Sequence, residues 1–232
     1  VIFVDALDKD GIKPALQEAE RASIPVIAID SNVEDKDLIA SIVESDNVAM
    51  GKMAAQTLCD SIDGEGEIVV INWSTLQAVR ERVEGLKSVI EESYPNVEIV
   101  TAKSFVQIEN TYQVCKEMIE TYPSIEDLYI SWDQPALLAI RALKELGRPD
   151  IAIFTTDLDR DIAYGMEEGY VKGLSTQRPY EQGQAAALVV AKSLVGGTLP
   201  KYVGVQPYVV EEKQLRRAWR DIFHETMPEK LR

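Results

Sequence analysis

The sequence predicts an α/β protein built on doubly wound parallel sheets, and two observations carry that prediction. Short Val- and Ile-rich runs recur along the chain, and segments of helical period stand between them. Each run is of strand length, and several are apolar at nearly every position, as strands covered on both faces are. A length of 232 residues allows one large domain or two lobes, each with a sizeable core.

The elements follow in order. Residues 1–4 and 24–29 read as strands, with Ile12, Leu16, Ala19 and Ala22 forming a helical stripe between them. Pro25 sits at the entry of its strand, where a missing donor is tolerated. Residues 38–43 read as a third strand. The turn Asp63-Gly64-Glu65-Gly66 precedes a strand at 68–71; it lacks the Lys and following helix of a phosphate loop. Val83, Leu86, Val89 and Ile90 predict the next helix, and 97–101 the next strand. Val114, Met118 and Ile119 give another helical stripe before a strand at 128–130. Ala136, Leu138, Ile140 and Leu143 give a fourth, ended by Gly147 and Pro149 before a strand at 151–154.

Composition excludes several chemistries. With 39 acidic and 24 basic residues, the net charge of -15 repels phosphate backbones, which disfavours a nucleic-acid partner. His224 is the single histidine, so Ser-His-Asp, Cys-His and His-rich zinc sites have no basis. Cys59 and Cys115 lie in helical stretches without a CxxC and read as buried thiols. No apolar run approaches the length of a membrane span, and no metal or cofactor motif stands out.

In doubly wound sheets ligands bind beyond the carboxyl ends of the strands. The residues after the predicted strands are Asp5, Asp30, Asn72-Trp73, Trp132-Asp133 and Asp157. Carboxylates and indoles at one edge suit a neutral polyhydroxylated molecule. A carboxylate accepts from neighbouring hydroxyls, an Arg such as Arg82 donates in a fork, and an indole covers the C–H face of a ring. Blander readings stand beside these: Asp5 and Asp133 as helix caps, Trp73 and Trp132 as core, Arg80 and Arg82 as a solvated face. On the binding reading, replacing Arg82 or Asp157 weakens affinity and leaves the fold intact. The run Asp157, Asp159, Asp161 has the spacing of a calcium loop, but Ile162 occupies the position that needs Gly.

These residues match a family pattern. Residues 22–30, Ser45-Asp46-Asn47-Val48 with Gly51, and Arg80-Glu81-Arg82 with Gly85 resemble the type I periplasmic sugar-binding proteins. So do Trp132-Asp133 with Ala136-Leu137, Asp157, and Gly173-Leu174-Ser175-Thr176-Gln177 with Gly183. The ribose- and galactose-binding group and the LacI-type effector domains share this pattern. The resemblance implies two doubly wound lobes with a hinged cleft that takes a sugar or polyol. Carried over by position, the ligand contacts fall on Asp5, Asp30, Arg82, Asp157 and Gln177. Trp132 stands where ribose-type members have Asn, and Phe105 or its neighbour Val106 stands near an aromatic stacking position. Ser31 replaces a second Arg beside Asp30, which argues against plain ribose specificity.

The resemblance also implies an organisation. Residues 1–45 and 178–201 are expected to form a first lobe lacking its first two strand–helix units, and 46–177 and 202–212 a second. Hinges then fall near Ser45-Asp46, Gln177-Arg178 and Lys201-Tyr202, and 213–232 is a C-terminal extension whose highly charged part, 220–232, is expected to pack outside the main sheet. The sequence begins at Val1 and not at Met, so a processed or truncated chain is expected, with any export signal ahead of it. The implied function is solute capture for an ABC importer at the periplasmic or extracellular face, with permease subunits or a membrane receptor as partners. A ligand-sensing domain for a chemoreceptor, sensor kinase or LacI-type regulator is the alternative; an enzyme of the same fold ranks below both.

Overall fold

The computed structural model describes every residue except Leu7, Lys9, Asn32, Val106 and Arg232, and the side chain of Lys230. The chain runs β1 (Ile2–Val4), α1 (Lys13–Arg21), β2 (Val26–Ile29) and β3 (Ser41–Ser45). It continues through α2 (Asn47–Ser61), β4 (Glu65–Trp73), α3 (Gln77–Ser93), β5 (Asn96–Phe105) and α4 (Thr111–Thr121). Then come β6 (Asp127–Ile130), α5 (Asp133–Leu146), β7 (Ala152–Thr156), α6 (Arg160–Glu167) and β8 (Val171–Thr176). It closes with α7 (Pro179–Leu194), β9 (Tyr202–Val205), β10 (Tyr208–Glu211) and α8 (Leu215–Phe223). Two compact units result, Val1–Asp46 with Arg178–Gln206 and Asn47–Gln177 with Pro207–Arg232.

The smaller unit holds a parallel sheet in the order β1-β2-β3-β9. Alternation along β2 sends Val26 and Ala28 to one face, where they meet Leu16 and Ala19 of α1. Ile27 takes the other face with Ala186 and Val189 of α7. On β1, the edge strand, Ile2 and Phe3 are 44% and 50% exposed, so this edge keeps an apolar surface.

The larger unit holds six strands in the order β10-β8-β7-β6-β4-β5, parallel except for β10. Both faces are covered, as the apolar runs require. Val69, Ile71, Leu128 and Ile130 pack with α4, α5 and α6, while Ile68, Val70, Tyr129 and Phe154 pack with α2 and α3. Gly147 caps α5 in the left-handed conformation at φ 63°, as its place before Pro149 predicts.

Three expectations change. The run 38–43 is not one strand: Leu38 closes a 3-10 turn on the carbonyl of Asp35, and the strand begins at Ser41. The stretch 202–212, expected to belong whole to the second lobe, holds two strands. Tyr202–Val205 pairs with β3 and Tyr208–Glu211 with β8, so the last change of unit falls at Gln206–Pro207 and not at Lys201-Tyr202. The C-terminal segment belongs to the larger unit's core, because Leu215, Ala218, Trp219, Ile222, Met227 and Leu231 are all buried there. Its charges occupy only the outer side of α8, as in Arg216, Arg217 and Arg220.

Candidate functional site

Counting from β4, the parallel strands of the larger unit follow the order 2-1-3-4-5, which reverses direction between β4 and β6. Such a switch point opens a crevice at the carboxyl ends of the two strands. Trp73 ends β4, and Trp132 precedes α5 just after β6. Their rings stack there, with centroids 5.1 Å apart and planes inclined by 15°. Trp73 packs against the main core, and Trp132 lies against Trp73.

A continuous polar network crosses the same edge. The Ser131 hydroxyl donates to Asn72 Oδ1 at 3.2 Å and accepts from the Trp73 N–H at 3.1 Å. The Thr156 hydroxyl donates to the Ser131 carbonyl at 2.9 Å and accepts from Arg82 Nη1 at 2.6 Å. Arg82 Nη1 also donates to Asp157 Oδ2 at 2.7 Å, and its Nε donates to Asn47 Oδ1 at 3.1 Å. Asp157 Oδ1 accepts from the Gln177 N–H at 3.4 Å. The Arg82 side chain is 4% exposed and that of Asp157 15%. Arg82 is therefore no solvated surface residue: it is a buried cation whose charge Asp157 neutralises.

Two glycines bring Arg82 to this place. A Cβ on Gly51 of α2 would stand 1.8 Å from the Arg82 carbonyl oxygen, and one on Gly85 of α3 would stand 2.2 Å from the Val48 carbonyl oxygen. The two backbones touch at this crossing, which sets Arg82 against Asn47 and the ends of β7 and β8.

Asp133 is the first residue of α5 and is 9% exposed. Trp132 holds the N-cap position, so the reading of Asp133 as the cap is not what the structure has. Its Oδ1 accepts from the Gln134 N–H at 2.6 Å. Burial pushes this carboxyl up to about 7, with the charge of Asp157 the next cause.

In the smaller unit Asp30 follows β2 as Asp157 follows β7. Both adopt the left-handed conformation, at φ 65° and 71°, which Asp tolerates better than most residues. Each N–H donates to a neighbouring strand's carbonyl, Val43 for Asp30 and Ser175 for Asp157. The buried Gln182 of α7 donates from Nε2 to Asp30 Oδ1 at 3.0 Å. Ser31 is half-buried beside it, and Asp5 is exposed after β1.

The structure thus brings Arg82, Asp157, Gln177 and Trp132 to one sheet edge, and Asp30, Ser31 and Asp5 to strand ends of the other unit. Phe105 is 6% exposed within the core at the end of β5, in register with Trp73, so its ring is not an open stacking face. Val106 lies outside the described residues. Trp73, Asn72, Asn47 and Gln182 are the partners that sequence reasoning left off the site. Position after a strand flagged the first two, whereas only tertiary contact reveals Asn47 and Gln182. Asp159, once a candidate calcium ligand, caps α6 by accepting from the Ile162 N–H.

A cavity of about 840 Å3 opens at the opposite edge of the same sheet, lined by Thr57, Ser61, Asp127, Lys172 and Glu211 among others. It lies away from the Arg82 network. Asp127 opens β6 there, accepts from the Ser61 hydroxyl at 3.1 Å, and is pushed up to about 7 by burial. A carboxyl raised in the folded state favours folding most below its unfolded value near 4 and loses that contribution as pH rises towards 7. Urea melts from pH 4.5 to 7.5 should show this falling slope, and Asp127→Asn should roughly halve it, Asp133 supplying the remainder; an unchanged slope would place the titration elsewhere.

Two α/β units thus each set carboxylates at strand ends, one of them beside a buried arginine and stacked indoles. The family described as periplasmic binding protein domain matches residues 1–198. The chain belongs to that family, whose relatives here are solute-binding proteins and not enzymes. It is 27% identical over 198 residues to the ribose import binding protein RbsB of Salmonella typhimurium, covering 84% of this chain and 66% of that protein. It is 30% identical over 211 residues to the xylitol-binding protein of Mycolicibacterium smegmatis, covering 87% of this chain and 59% of that one. The chain thus spans slightly less than two thirds of the length of these relatives. Among solved structures, the periplasmic binding component of the arabinose ABC transporter from Shewanella sp. ANA-3 aligns with a TM-score of 0.83 at 25% identity. That alignment covers 99% of this chain and 81% of the other.

Proposed function

We propose that this chain is the ligand-capturing part of an extracytoplasmic binding protein that delivers a sugar or polyol to an ABC importer. The observation that carries the reading is the Arg82–Asp157 pair, buried yet placed beside the Trp73–Trp132 stack at a sheet switch point. A neutral polyhydroxylated ligand suits it. Hydroxyls donate to the remaining lone pairs of Asp157 and accept from Arg82, while a C–H face lies on the outer ring of Trp132. The smaller unit carries strand-end polar groups of the same kind, Asp5, Asp30 and Ser31, which suit the same class of ligand.

Import is favoured over sensing because the relatives carry import names. The ligands those names print differ from one another, so the reading stops at a neutral sugar or polyol. No described helix is long and apolar enough to cross a membrane.

A thermal-shift screen against pentoses, hexoses and polyols tests the reading. A ligand at about 100 times its dissociation constant adds about 2.7 kcal/mol and raises the melting temperature visibly. Silence across the whole panel with a cooperative melt would remove sugars and polyols as the ligand class.

A further inference from the structure

We propose that Asp133 is a specificity-determining residue of the larger unit's site, presenting its second carboxyl oxygen to a ligand hydroxyl and making affinity depend on pH. This deepens the sugar or polyol reading and rests on it. Asp133 follows Trp132 directly at the β4/β6 switch point, close enough to Asp157 and Arg82 for both charges to act on its carboxyl. One oxygen is fixed by the Gln134 N–H. The other makes no hydrogen bond among the described residues, and it is not sealed from solvent. The carboxyl is thus anchored by one atom and open at the other, the arrangement of a group placed to meet a ligand.

The charges acting on it fix its state. Asp157 after β7 and Asp159 at the start of α6 oppose its ionisation, Arg82 of α3 favours it, and burial outweighs them all. Near neutral pH much of Asp133 is therefore the neutral acid. Beside an Asp157 already neutralised by Arg82, a neutral carboxyl supplies an O–H donor where the other acids supply acceptors. A ligand hydroxyl that donates to Asp157 can then accept from Asp133, so polyols with neighbouring hydroxyls are favoured. When Asp133 ionises, the donor is lost and a second negative charge faces the ligand oxygens.

Binding of ribose, allose, arabinose and xylitol, measured by calorimetry at pH 6 and pH 8, tests this. If only the protonated form binds well, a group titrating near 7 loses about tenfold in competent population across that interval, and affinity falls with it. In Asp133→Asn the amide donates at both pH values and keeps the Gln134 N–H bond, so affinity should change less than about twofold. Asp133→Leu should bind about tenfold more weakly than wild type at pH 6, the loss of a single hydrogen bond. Asp127 titrates in the same range at the far end of β6, so Asp127→Asn is the control and should keep the wild-type pH dependence. The proposal is overturned if Asp133→Asn retains the wild-type pH dependence, or if Asp133→Leu binds as wild type does. Silence of the wild type across the whole thermal-shift panel, these four compounds included, overturns the sugar reading itself, and the proposal with it.

Discussion

Arg82→Ala is expected to abolish high-affinity ligand binding and to destabilise the larger unit by about 3 kcal/mol in urea melts. The sequence taken alone led to the opposite expectation for stability, that the fold would be spared. The difference lies in burial. Arg82 donates to Asn47, Thr156 and Asp157 with its side chain 4% exposed, so its removal strands three acceptors in the interior. Asp157 loses the only charge that neutralises it within this network, and it keeps only 15% exposure with which to recover hydration. Breaking a buried pair from one side costs about 3–5 kcal/mol, and that residual exposure places the loss at the lower end. Affinity should fall by about 100-fold or more, because a buried charged donor is lost and its carboxylate partner is no longer held in place. The double variant Arg82→Met with Asp157→Asn separates the two effects. With both charges gone, much of the stability should return while binding stays lost. If the double variant instead binds sugar, the pair supports the fold and not the site. If Arg82→Ala melts and binds as wild type does, the network is not what holds this edge together.

Strands β1 to β7 and four of the helices were legible because their patterns are one-sided or uniformly apolar. The runs at 68–71 and 128–130 are buried on both faces, and the sequence writes them as unbroken Ile, Val and Leu with one Tyr. The stripe Val83, Leu86 and Ile90 reads as a helix because its other side meets water. The segment that forms α2 reads less clearly. Met50, Gly51, Ala54, Ala55, Leu58 and Cys59 are all buried, so its apolar side is wide and made largely of small residues, with a weak periodic signal. The segment that forms α7 shows the converse: Leu188 and Leu194 are more than 70% exposed, so its pattern does not mark a single buried face. The split of 202–211 into two strands was illegible for a different reason. Only pairing with β3 and with β8 distinguishes the two halves, and Gln206-Pro207 is a slight interruption in an otherwise apolar stretch. At the site, position after a strand pointed to Asp30, Trp132 and Asp157 because ligand groups in such sheets stand at strand ends. Gln182 sits within a helix 152 residues from Asp30, where no local pattern marks it as a partner.

Gly51→Ala is expected to destabilise the protein by about 3 kcal/mol although it adds a single methyl group to a helix. Alanine is the better helix former by about 1 kcal/mol, so propensity alone predicts the reverse sign. Sterics decide it. The new Cβ would lie 1.8 Å from the Arg82 carbonyl oxygen, 2.7 Å from its carbon and 2.9 Å from the Leu86 nitrogen, all backbone atoms that no side-chain rotation moves aside. The helices must separate, and the segment displaced is the one that carries Arg82. Affinity should therefore fall with stability, which a purely structural crossing elsewhere would not produce. Gly85→Ala meets the Val48 carbonyl oxygen at 2.2 Å and should behave alike. In the double variant the first methyl has already parted the backbones, so the second should cost less than it does alone. Gly183 of α7, around which an added Cβ finds nothing within 4 Å, is the control. Gly183→Ala should stabilise by up to about 1 kcal/mol. If Gly51→Ala instead resembles Gly183→Ala, the close crossing of α2 and α3 is not a constraint, and the placement of Arg82 must come from its hydrogen bonds alone.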